Sequence, residues 1–295
     1  MLNINKAHLL DVVEGLKQLP DNSTDIIIAD APYNIGMDFG NNKDALSIQD
    51  YIAWCSTWLT ECIRILKDTG TMFIYGFSET LAYISVSLPL EKRWLVWSYT
   101  NKAAPNSNFW NRSHESIISA WKDKSKRIFN KDAVREPYTK MFVKNFVGKV
   151  RKNTEGRFGN KETIYEVNEN GALPRDVIKV PALSGGSGAK ERWLYCRNCE
   201  ETYFPYEIEG HRNHDIVKVP TQKPYKLTKR LILSCKPPNG GLVVIPFIGS
   251  GSEALVARGL RMDFVGFDIN EDFVNMANSL IERADGFTQV EKNIL

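Results

Sequence analysis

An acidic residue, a proline and an aromatic residue follow one another where a strongly apolar segment of the sequence ends. The segment 25–29 reads DIIIA, and it is followed directly by Asp30, Ala31, Pro32 and Tyr33. A turn with an exposed aromatic ring does little for stability, so we interpret it as part of a functional site at the end of the strand. Proline holds the residue before it in an extended conformation, which fixes the direction of a backbone carbonyl beside the carboxylate. Taken alone, Asp30 is better explained as a helix N-cap at a strand end.

A second group of candidate residues lies near the end of the chain. The apolar run 241–247 (GLVVIPF) is followed by Gly249 and Gly251 and then by a helical pattern. Glycines allow a ligand to approach the backbone closely, and a helix N-terminus offers free N–H groups. Asp268, at the end of the next apolar run, can accept both hydroxyls of a ribose. Together these features predict a nucleoside-binding half-site, with a ligand-free glycine turn as the alternative for the loop alone.

The third group consists of Cys196, Cys199, His211 and His214, in the pattern Cys-x2-Cys-x11-His-x2-His. Two cysteines and two histidines are a ligand set for structural zinc, which can stabilise a loop that is too short to build its own core. The final spacing is tighter than in a usual zinc finger, so the pattern predicts a knuckle or ribbon. A cysteine pair beside incidental histidines is the alternative. The chain has five cysteines, an odd number that argues against a disulfide framework.

Hydrophobic patterning predicts the elements that position these groups. Continuous apolar runs predict strands and helical spacing predicts covering helices. The predicted strands are 25–29, 71–75, 94–99, 116–121, 241–247 and 263–269, and the predicted helices are 48–67, 252–259, 270–283 and one within 220–233. Strand–helix alternation at both ends of the 295-residue chain implies an α/β fold with a parallel sheet. The polar middle of the chain is expected to be an insertion or a small subdomain.

Positive charge is concentrated in that middle region. Between Lys122 and Asn160 there are twelve Lys or Arg and four Asp or Glu, a balance of +8 in a chain whose net charge is +3. A basic segment on a mildly acidic body favours binding to a polyanion, although a lone charge run is usually a solvated loop. Interleaved aromatic residues favour nucleic acid. They are Phe129, Tyr138, Phe142, Phe146 and Phe158.

Three motifs resemble those of one enzyme family. Residues 247–251 (FIGSG) resemble the Phe-x-Gly-x-Gly loop of S-adenosylmethionine-dependent methyltransferases. Residues 30–33 (DAPY) resemble the Asp-Pro-Pro-Tyr motif of those that methylate exocyclic amines in DNA, and residues 221–224 (TQKP) resemble their Thr-Gln-Lys-Pro segment. The catalytic motif comes first, the basic region second and the cofactor loop last. This order is similar to that of the beta class of DNA amino-methyltransferases.

The resemblance implies a fold and a division of the chain. The fold is a Rossmann-like methyltransferase sheet, mostly parallel, with helices on both faces and an inserted target-recognition region. Residues 1–121 would form the catalytic half, 122–190 the target-recognition region, 191–218 a possible zinc-binding insertion and 219–295 the cofactor-binding half.

The resemblance also implies an activity, with Asp30, Ala31, Pro32 and Tyr33 as catalytic residues. The exocyclic amine of a base is a poor nucleophile because its lone pair is delocalised into the ring. The Asp30 carboxylate and the Ala31 carbonyl would draw it toward a tetrahedral geometry, which is catalysis by positioning and electrostatics. Tyr33 would stack on a base extruded from the duplex. The predicted product is N6-methyladenine, and the alternatives are N4-methylcytosine, methylation of RNA, or a catalytically weak DNA-binding subunit.

S-adenosylmethionine is the implied cofactor. By resemblance its binding residues are Phe247, Gly249, Ser250, Gly251 and Asp268, with Thr221 and Lys223 from the upstream loop. Two positions depart from the family pattern. Ala31 replaces a proline, which should matter little because either residue provides a backbone carbonyl. Ile245 replaces an acid that would favour the cationic methionine part of the cofactor, so either another acid compensates or the chain binds the cofactor weakly.

Partners and location complete the expectations. No run of 18 apolar residues and no signal pattern occurs, which predicts a cytoplasmic protein without a membrane span. The resemblance implies double-stranded DNA as the partner, a bacterial, archaeal or phage origin, and either a homodimer or a cognate restriction endonuclease system. The pair His114-Glu115 resembles one that the family often has before a strand. It is expected to support the wall of the site, with a plain polar turn as an equal alternative.

Overall fold

The computed structural model describes residues 2–37, 44–101, 107–151, 163–164, 166–184, 191–211 and 213–284. Three residues of the predicted basic and aromatic segment, Lys152, Arg157 and Phe158, lie outside this range. The chain forms two compact units, one from Met1–Phe129 with Asp176–Leu295 and the other from Asn130–Arg175. Among the described residues, no helix is long and apolar enough to cross a membrane.

The described chain contains thirteen strands, seven α-helices and two short 3-10 helices, Lys131–Val134 and Ile208–His211. The strands are β1 (Lys6–Leu9), β2 (Thr24–Ala29), β3 (Leu66–Gly76), β4 (Glu91–Ser98), β5 (His114–Trp121), β6 (Val150–Arg151), β7 (Thr163–Ile164), β8 (Val177–Lys179), β9 (Leu194–Cys196), β10 (Glu201–Tyr203), β11 (Ile216–Lys218), β12 (Leu242–Ile245) and β13 (Asp263–Asp268). The helices are α1 (Val12–Lys17), α2 (Ile48–Ile65), α3 (Ser78–Ser87), α4 (Lys140–Phe146), α5 (Tyr225–Cys235), α6 (Ser252–Gly259) and α7 (Glu271–Ala284).

The larger unit is built on an eight-stranded sheet in the order β1-β13-β12-β2-β3-β5-β4-β8. All neighbours from β1 to β3 are parallel, whereas β5 runs antiparallel to both β3 and β4, and β8 is parallel to β4. The mostly parallel sheet confirms the predicted α/β fold class.

Helices cover both faces of this sheet because its central strands are apolar on both sides. In β2, Ile26 and Ile28 pack in one buried cluster, while Ile27 and Ala29 pack in the other. Successive side chains of a strand point to opposite faces, so a continuous apolar run needs a cover on each side. The first cluster includes residues of α5, α6 and α7, and the second includes residues of α1, α2 and α3. The predicted two-sided helical cover is therefore confirmed.

The smaller unit contains α4, the antiparallel pair β6–β7 and a bridge between Glu136 and Ala172. Arg135 ties this unit together, because its guanidinium donates to the Gly171 carbonyl (2.7 Å) and to Asp132 (2.6 Å). The rings of Tyr138 and Phe142 stack with their centroids 5.3 Å apart. The assignment of residues 122–190 to target recognition stays a prediction.

The first basic residues of that predicted region bind within the larger unit. Lys122 donates to the Leu66 carbonyl, and Lys126 forms an ion pair with Asp68 (2.9 Å). The Arg127 guanidinium lies 4.0 Å from the ring centroid of Trp121. Of the three, Lys126 is paired with an acid outside the basic segment, so it contributes less free positive charge than the sequence count indicates.

A separate three-stranded antiparallel sheet, β10-β9-β11, belongs to the larger unit and carries the Cys/His group. It packs on α7 through Thr202, whose N–H donates to Ser279 (2.9 Å) and whose hydroxyl donates to the Met276 carbonyl (3.1 Å). The Arg197 guanidinium, directly after β9, forms an ion pair with Asp272 of the same helix (2.6 Å). These contacts attach the small sheet to the helix that follows β13.

Candidate active site

Three strand ends bring the candidate residues together. β2 and β12 are parallel neighbours, paired at Ile26 with Val243 and at Ile27 with Val244, and β13 lies on the other side of β12. Since the carboxyl ends of parallel strands share one edge of a sheet, Asp30 and the glycine loop meet there although the sequence separates them widely.

Asp30 is held at this edge by two hydrogen-bond donors. Its Oδ2 accepts from Lys223 Nζ at 2.6 Å, and its Oδ1 lies 2.8 Å from the Tyr33 hydroxyl. The same hydroxyl lies 3.0 Å from Glu115 Oε2, and Lys223 Nζ lies 3.8 Å from that carboxylate. Two carboxylates therefore share one ammonium and one hydroxyl proton. Glu115 thus reaches the site wall, whereas the Nε2 atom of its neighbour His114 lies 3.4 Å from the Ser78 hydroxyl.

The electrostatics of this cluster follow from its burial. Burial raises the pKa of Asp30, and the charge of Lys223 opposes that shift. Burial also disfavours the charged form of Lys223, but Asp30 and Glu115 outweigh it, so the Lys223 pKa is raised. Burial raises the pKa of Tyr33 strongly, and Asp30 adds to the effect. Lys223 is therefore a stable cation, Tyr33 a neutral donor, and Asp30 a carboxylate that takes up a proton more readily than usual.

The turn after β2 is more enclosed than the sequence indicates. Tyr33 is 7% exposed, so the expectation of an exposed ring is wrong. The ring is packed edge-on against Phe77 with 5.0 Å between centroids, and Lys223 lies 5.2 Å from its centroid. The Pro32 carbonyl accepts from the Tyr51 hydroxyl (2.8 Å), which fixes the turn from the side of α2. Ala31 is also buried.

The glycine loop is folded around Asp268. Its carboxylate accepts from the Gly249 N–H (3.1 Å) and from the Asn270 N–H (3.0 Å), which links the loop after β12 to the end of β13. Gly249 and Gly251 have φ angles of +48° and +78°. At Gly251 a Cβ atom would lie 2.8 Å from the Ala277 Cα, so a side chain has no room there. The loop therefore needs glycine for both its backbone conformation and its packing.

Nearly all the candidate catalytic and cofactor-binding residues line one cavity at this edge. Its lining includes Asp30, Ala31, Pro32, Tyr33, Thr221, Lys223, Phe247, Gly249, Ser250 and Asp268. Gly251 does not line it, because this residue lies behind the loop at the start of α6 against α7. The Phe247 ring packs edge-on against Trp58, with centroids 5.3 Å apart.

A second cavity shares Tyr33, Thr221 and Lys223 with the first. Its other walls include Phe77, Glu115 and two residues that the sequence interpretation did not assign, Trp97 and Tyr99 of the β4 end. Their rings are packed edge-on with centroids 5.0 Å apart. The signal for them is the aromatic pair in the segment WSYT (97–100), which the sequence interpretation took only as part of a strand.

One further acid lines the first cavity. Glu253, in the first turn of α6, is 5% exposed, and its Oε2 accepts from the Ser252 hydroxyl at 2.6 Å. Its Oε1 is buried and has no hydrogen-bond partner among the residues that the structure describes. Burial, together with the charge of Asp30, raises the pKa of Glu253 to about 7. Ile245, the position where an acid was expected by resemblance, is 1% exposed and packs in the core.

The four candidate metal ligands also converge. One ligand atom from each of Cys196, Cys199, His211 and His214 lies within 4.8 Å of the others. Cys196 ends β9, Cys199 lies in the turn to β10, and the two histidines lie before β11. This cluster is separate from the lining of either cavity.

Comparison with known proteins gives a consistent set of matches. Residues 24–279 match the model of a family described as DNA methylase. The chain is 28% identical to the type II methyltransferase M.HpaI of Haemophilus parainfluenzae, over 96% of this chain and 76% of the relative. It is also 28% identical to the DNA adenine methyltransferase YhdJ of Escherichia coli (strain K12), over 95% and 84% of the two chains.

Solved structures share the fold at lower identity. The cytosine-N4-specific PvuII DNA methyltransferase superposes with a TM-score of 0.62 at 15% identity, covering 98% of this chain and 89% of that chain. The complex of M1.HpyAVI with SAM superposes with a TM-score of 0.54 at 18% identity, covering 92% and 96%.

Proposed function

This chain belongs to the DNA methylase family, and from that premise we propose that it transfers a methyl group from S-adenosylmethionine to the N6 amine of adenine in a specific DNA sequence. The observation that carries the proposal is the contact between Asp30 and Lys223 (2.6 Å) in a cavity that the glycine loop completes. Asp30, from the first part of the sequence, thereby lies in the same cavity as the glycine loop from the last part.

The residues of the first cavity fit this cofactor. Phe247 and Ile269 offer apolar surface for the adenine ring. Asp268 can accept ribose hydroxyls, and the Gly249 backbone permits a close approach. A buried and unpartnered carboxylate oxygen on Glu253 suits a cationic ligand. Thr221, Ser250 and Gly251 complete the proposed set, the last by shaping the loop from behind.

S-adenosylmethionine, when bound, supplies an electrophilic methyl group on a positively charged sulfur. Asp30 positions the amine that receives it, because its carboxylate can accept one of the amine hydrogens while Lys223 and Tyr33 keep it fixed. The Ala31 carbonyl provides the second acceptor in this proposal, and the bonded Pro32 carbonyl stiffens the turn. The catalytic contribution is preorganisation of acceptors around a weak nucleophile.

A proton must leave the nitrogen after methyl transfer, and Asp30 is placed to receive it. Its pKa is raised by burial, so it accepts a proton more readily than an exposed aspartate does. Lys223 limits the shift and favours the anionic form of Asp30. Paired with Lys223, the Asp30 carboxylate can therefore both accept hydrogen bonds from the amine and take up the proton that leaves it.

The second cavity suits a base extruded from the duplex. Its aromatic walls (Tyr33, Phe77, Trp97 and Tyr99) offer ring faces and edges, and it adjoins the cofactor cavity at Tyr33 and Lys223. Base flipping is needed because the amine is not accessible inside a stacked duplex. Glu115 and Tyr33 can hydrogen-bond to the edge of such a base.

Adenine is preferred to cytosine on two grounds. Position 30 is an aspartate, whereas a serine there would favour cytosine, and a relative matching along most of its length is named as a DNA adenine methyltransferase. The PvuII enzyme, named as cytosine-specific, shares the fold at 15% identity. Cytosine N4 is therefore the second candidate, since both amines need the same acceptors.

Double-stranded DNA is the proposed partner, with residues 122–190 as the region that recognises its sequence. The support is the local excess of positive charge within 122–160 and the aromatic residues between the basic ones. Homodimerisation and a cognate restriction endonuclease stay predictions.

The decisive experiment identifies the methylated nucleoside. The protein is incubated with S-adenosylmethionine and unmethylated DNA of varied sequence, and the digested nucleosides are analysed by mass. N6-methyladenine is expected, N4-methylcytosine would support the second candidate, and DNA binding without methylation of any DNA would refute both. Asp30→Ala should abolish transfer while leaving DNA binding near normal, and Asp263→Ala, at an exposed aspartate at the start of β13, serves as the matched control.

A further inference from the structure

The Cys/His cluster has the geometry of a metal site. Cys196 Sγ lies 3.2 Å from His214 Nδ1, and Cys199 Sγ lies 3.4 Å from the Nδ1 atoms of both His211 and His214. The two Nδ1 atoms are 3.2 Å apart. In tetrahedral zinc coordination, bond lengths of about 2.3 Å to sulfur and about 2.0 Å to nitrogen place sulfur and nitrogen about 3.5 Å apart and two nitrogens about 3.3 Å apart. The observed distances match this arrangement within a few tenths of an ångström.

We propose that Cys196, Cys199, His211 and His214 bind one structural zinc ion, and that this ion holds the small sheet that positions Lys223. The ligand set is closed, with two sulfurs and two nitrogens and no place reserved for a substrate, which is typical of a structural site. Zinc would cross-link the turn between β9 and β10 to the segment before β11. That segment has little core of its own, because neither histidine is buried.

The small sheet is connected to the active-site loop by direct hydrogen bonds. The Trp193 N–H, just before β9, donates to the Gln222 side-chain carbonyl at 3.0 Å. The Gln222 amide donates in turn to the Glu191 carbonyl, and Arg192 donates to the Pro220 carbonyl at 2.9 Å. Gln222 directly precedes Lys223. A sheet that loses its cross-link would therefore release the loop from which Lys223 reaches Asp30.

Metal analysis of the full-length protein tests the assignment. Purification without chelators should yield about one zinc per chain by elemental analysis. Replacement by Co²⁺ should give the d–d absorption of a tetrahedral site together with thiolate charge-transfer bands. Cys199→Ser should lose the metal, whereas His8→Gln, at a histidine far from the cluster, should retain a full equivalent.

The link to the active site needs a second measurement on the same proteins. Removal of zinc with a chelator should lower the melting temperature and weaken S-adenosylmethionine binding, and restoring zinc should reverse both changes. A protein that contains no zinc and gives no cobalt spectrum would overturn the metal site. A metal-containing protein whose cofactor affinity and methyl-transfer rate are both the same with and without zinc would overturn its role in positioning the loop that carries Thr221 and Lys223.

A second inference concerns Glu253, and it rests on the proposed function. The residues that line the first cavity include four acids (Asp11, Asp30, Glu253 and Asp268) and a single amine, Lys223. The Lys223 amine donates a hydrogen bond to Asp30. Glu253 has one oxygen hydrogen-bonded to Ser252, and the other is buried without a partner in the described part of the chain. A buried polar atom without a partner is costly, so such an atom in a ligand cavity indicates a missing donor.

We infer that Glu253 binds the cationic methionine part of S-adenosylmethionine, in place of the acid that is absent at Ile245. The free oxygen can accept a hydrogen bond from an ammonium group, and such charge-assisted bonds are among the stronger ones in proteins. Ile245 is buried in the core and offers no acceptor on its side chain. In this chain the acid lies in the first turn of α6 instead of at the end of β12.

Calorimetric binding measurements test this inference separately from catalysis. Glu253→Gln should weaken S-adenosylmethionine binding at least tenfold, and Glu253→Asp should recover part of the loss. Binding of 5′-methylthioadenosine, which lacks the amino-acid part and the charge, should change less than twofold. Glu271→Gln, at an exposed glutamate in the first turn of α7, is the matched control and should bind like the wild type.

The outcomes distinguish this inference from the proposed function. Failure of the wild-type protein to bind S-adenosylmethionine would refute the proposed function itself. Wild-type binding with an unchanged affinity in Glu253→Gln would overturn the role of Glu253 alone. Equal losses for both ligands would also overturn it, because they would indicate a damaged pocket.

Discussion

Replacing Glu253 with glutamine should make the ligand-free protein more stable at alkaline pH. The glutamate is buried, and one of its oxygens has no hydrogen-bond partner within the described ranges. Its pKa is raised to about 7 by burial and by Asp30, while Lys223 and the hydroxyl of Ser252 act in the opposite direction. Glutamine has nearly the same shape but cannot become charged, so it removes the cost of burying an anion.

The size of the effect follows from the shift in pKa. Between an ordinary value of 4.5 and about 7 the native state binds more protons than the unfolded state. The stability that Glu253 contributes is therefore fully present below about pH 4.5 and is lost as the pH rises toward 7. Each pKa unit corresponds to about 1.4 kcal/mol, so the wild type should lose about 3 kcal/mol across this window. Glu253→Gln should lack this loss and exceed the wild type by a similar amount at pH 8.

Urea unfolding at pH 5 and pH 8, followed by circular dichroism, measures the difference. The titratable groups that face Glu253 are Asp30, Lys223, Tyr75 and Tyr225, and all of them are kept in the variant. Glu271→Gln, at an exposed position, should follow the wild type at both pH values. Equal destabilisation of Glu253→Gln at pH 5 and pH 8 would refute the reasoning, because it would mean that packing outweighs the buried charge.

Three other substitutions probe the same site. Lys223→Met should leave Asp30 without its cation, abolish methyl transfer and cost about 3–5 kcal/mol in urea unfolding at pH 8; wild-type stability would contradict this. Tyr33→Phe should raise the pKa of Asp30 further by removing a donor, which shifts the acidic limb of the pH–rate profile toward higher pH; an unshifted limb would argue against the contact. Gly251→Ala should lower the melting temperature by several degrees because of its positive φ and its contact with α7. Gly259→Ala, in a helix with open space around it, should not.

Elements with long apolar runs were predictable because their pattern needs no tertiary information. β2, β12, β13 and the second half of β3 are largely buried on both faces, so most of their residues carry the signal. The polar first half of β3, residues 66–70, lies outside the predicted strand 71–75. α2 was predicted at 48–67 and spans Ile48–Ile65. By contrast, β1, α1 and α3 were not predicted. The first two are only four and six residues long, and α3 leaves Tyr83 and Val86 exposed, so none of them shows a clear period.

The pairing of Asp30 with Lys223 shows what a sequence pattern does not contain. Resemblance assigned Asp30 to catalysis and Lys223 to the cofactor, as two separate roles. Their 2.6 Å contact joins residues 193 positions apart, and it depends on the loop that the small sheet supports. A motif states which residue types are present, but the partner of a buried charge is set by the packing of distant segments. For the same reason, the sequence predicted Glu115 only as part of the wall of the site and not as a partner of Tyr33 and Lys223.

The absent acid at Ile245 is then a change of position rather than a loss of function in this proposal. The core accepts isoleucine at the end of β12, where burial favours an apolar side chain, and the carboxylate lies on α6 in the same cavity. Four acids around one lysine leave the empty cavity at pH 8 with an excess of negative charge that a cationic ligand would relieve. Such a site sacrifices stability to gain affinity, so the substitution that stabilises the empty protein at pH 8 should be the one that binds the cofactor least well.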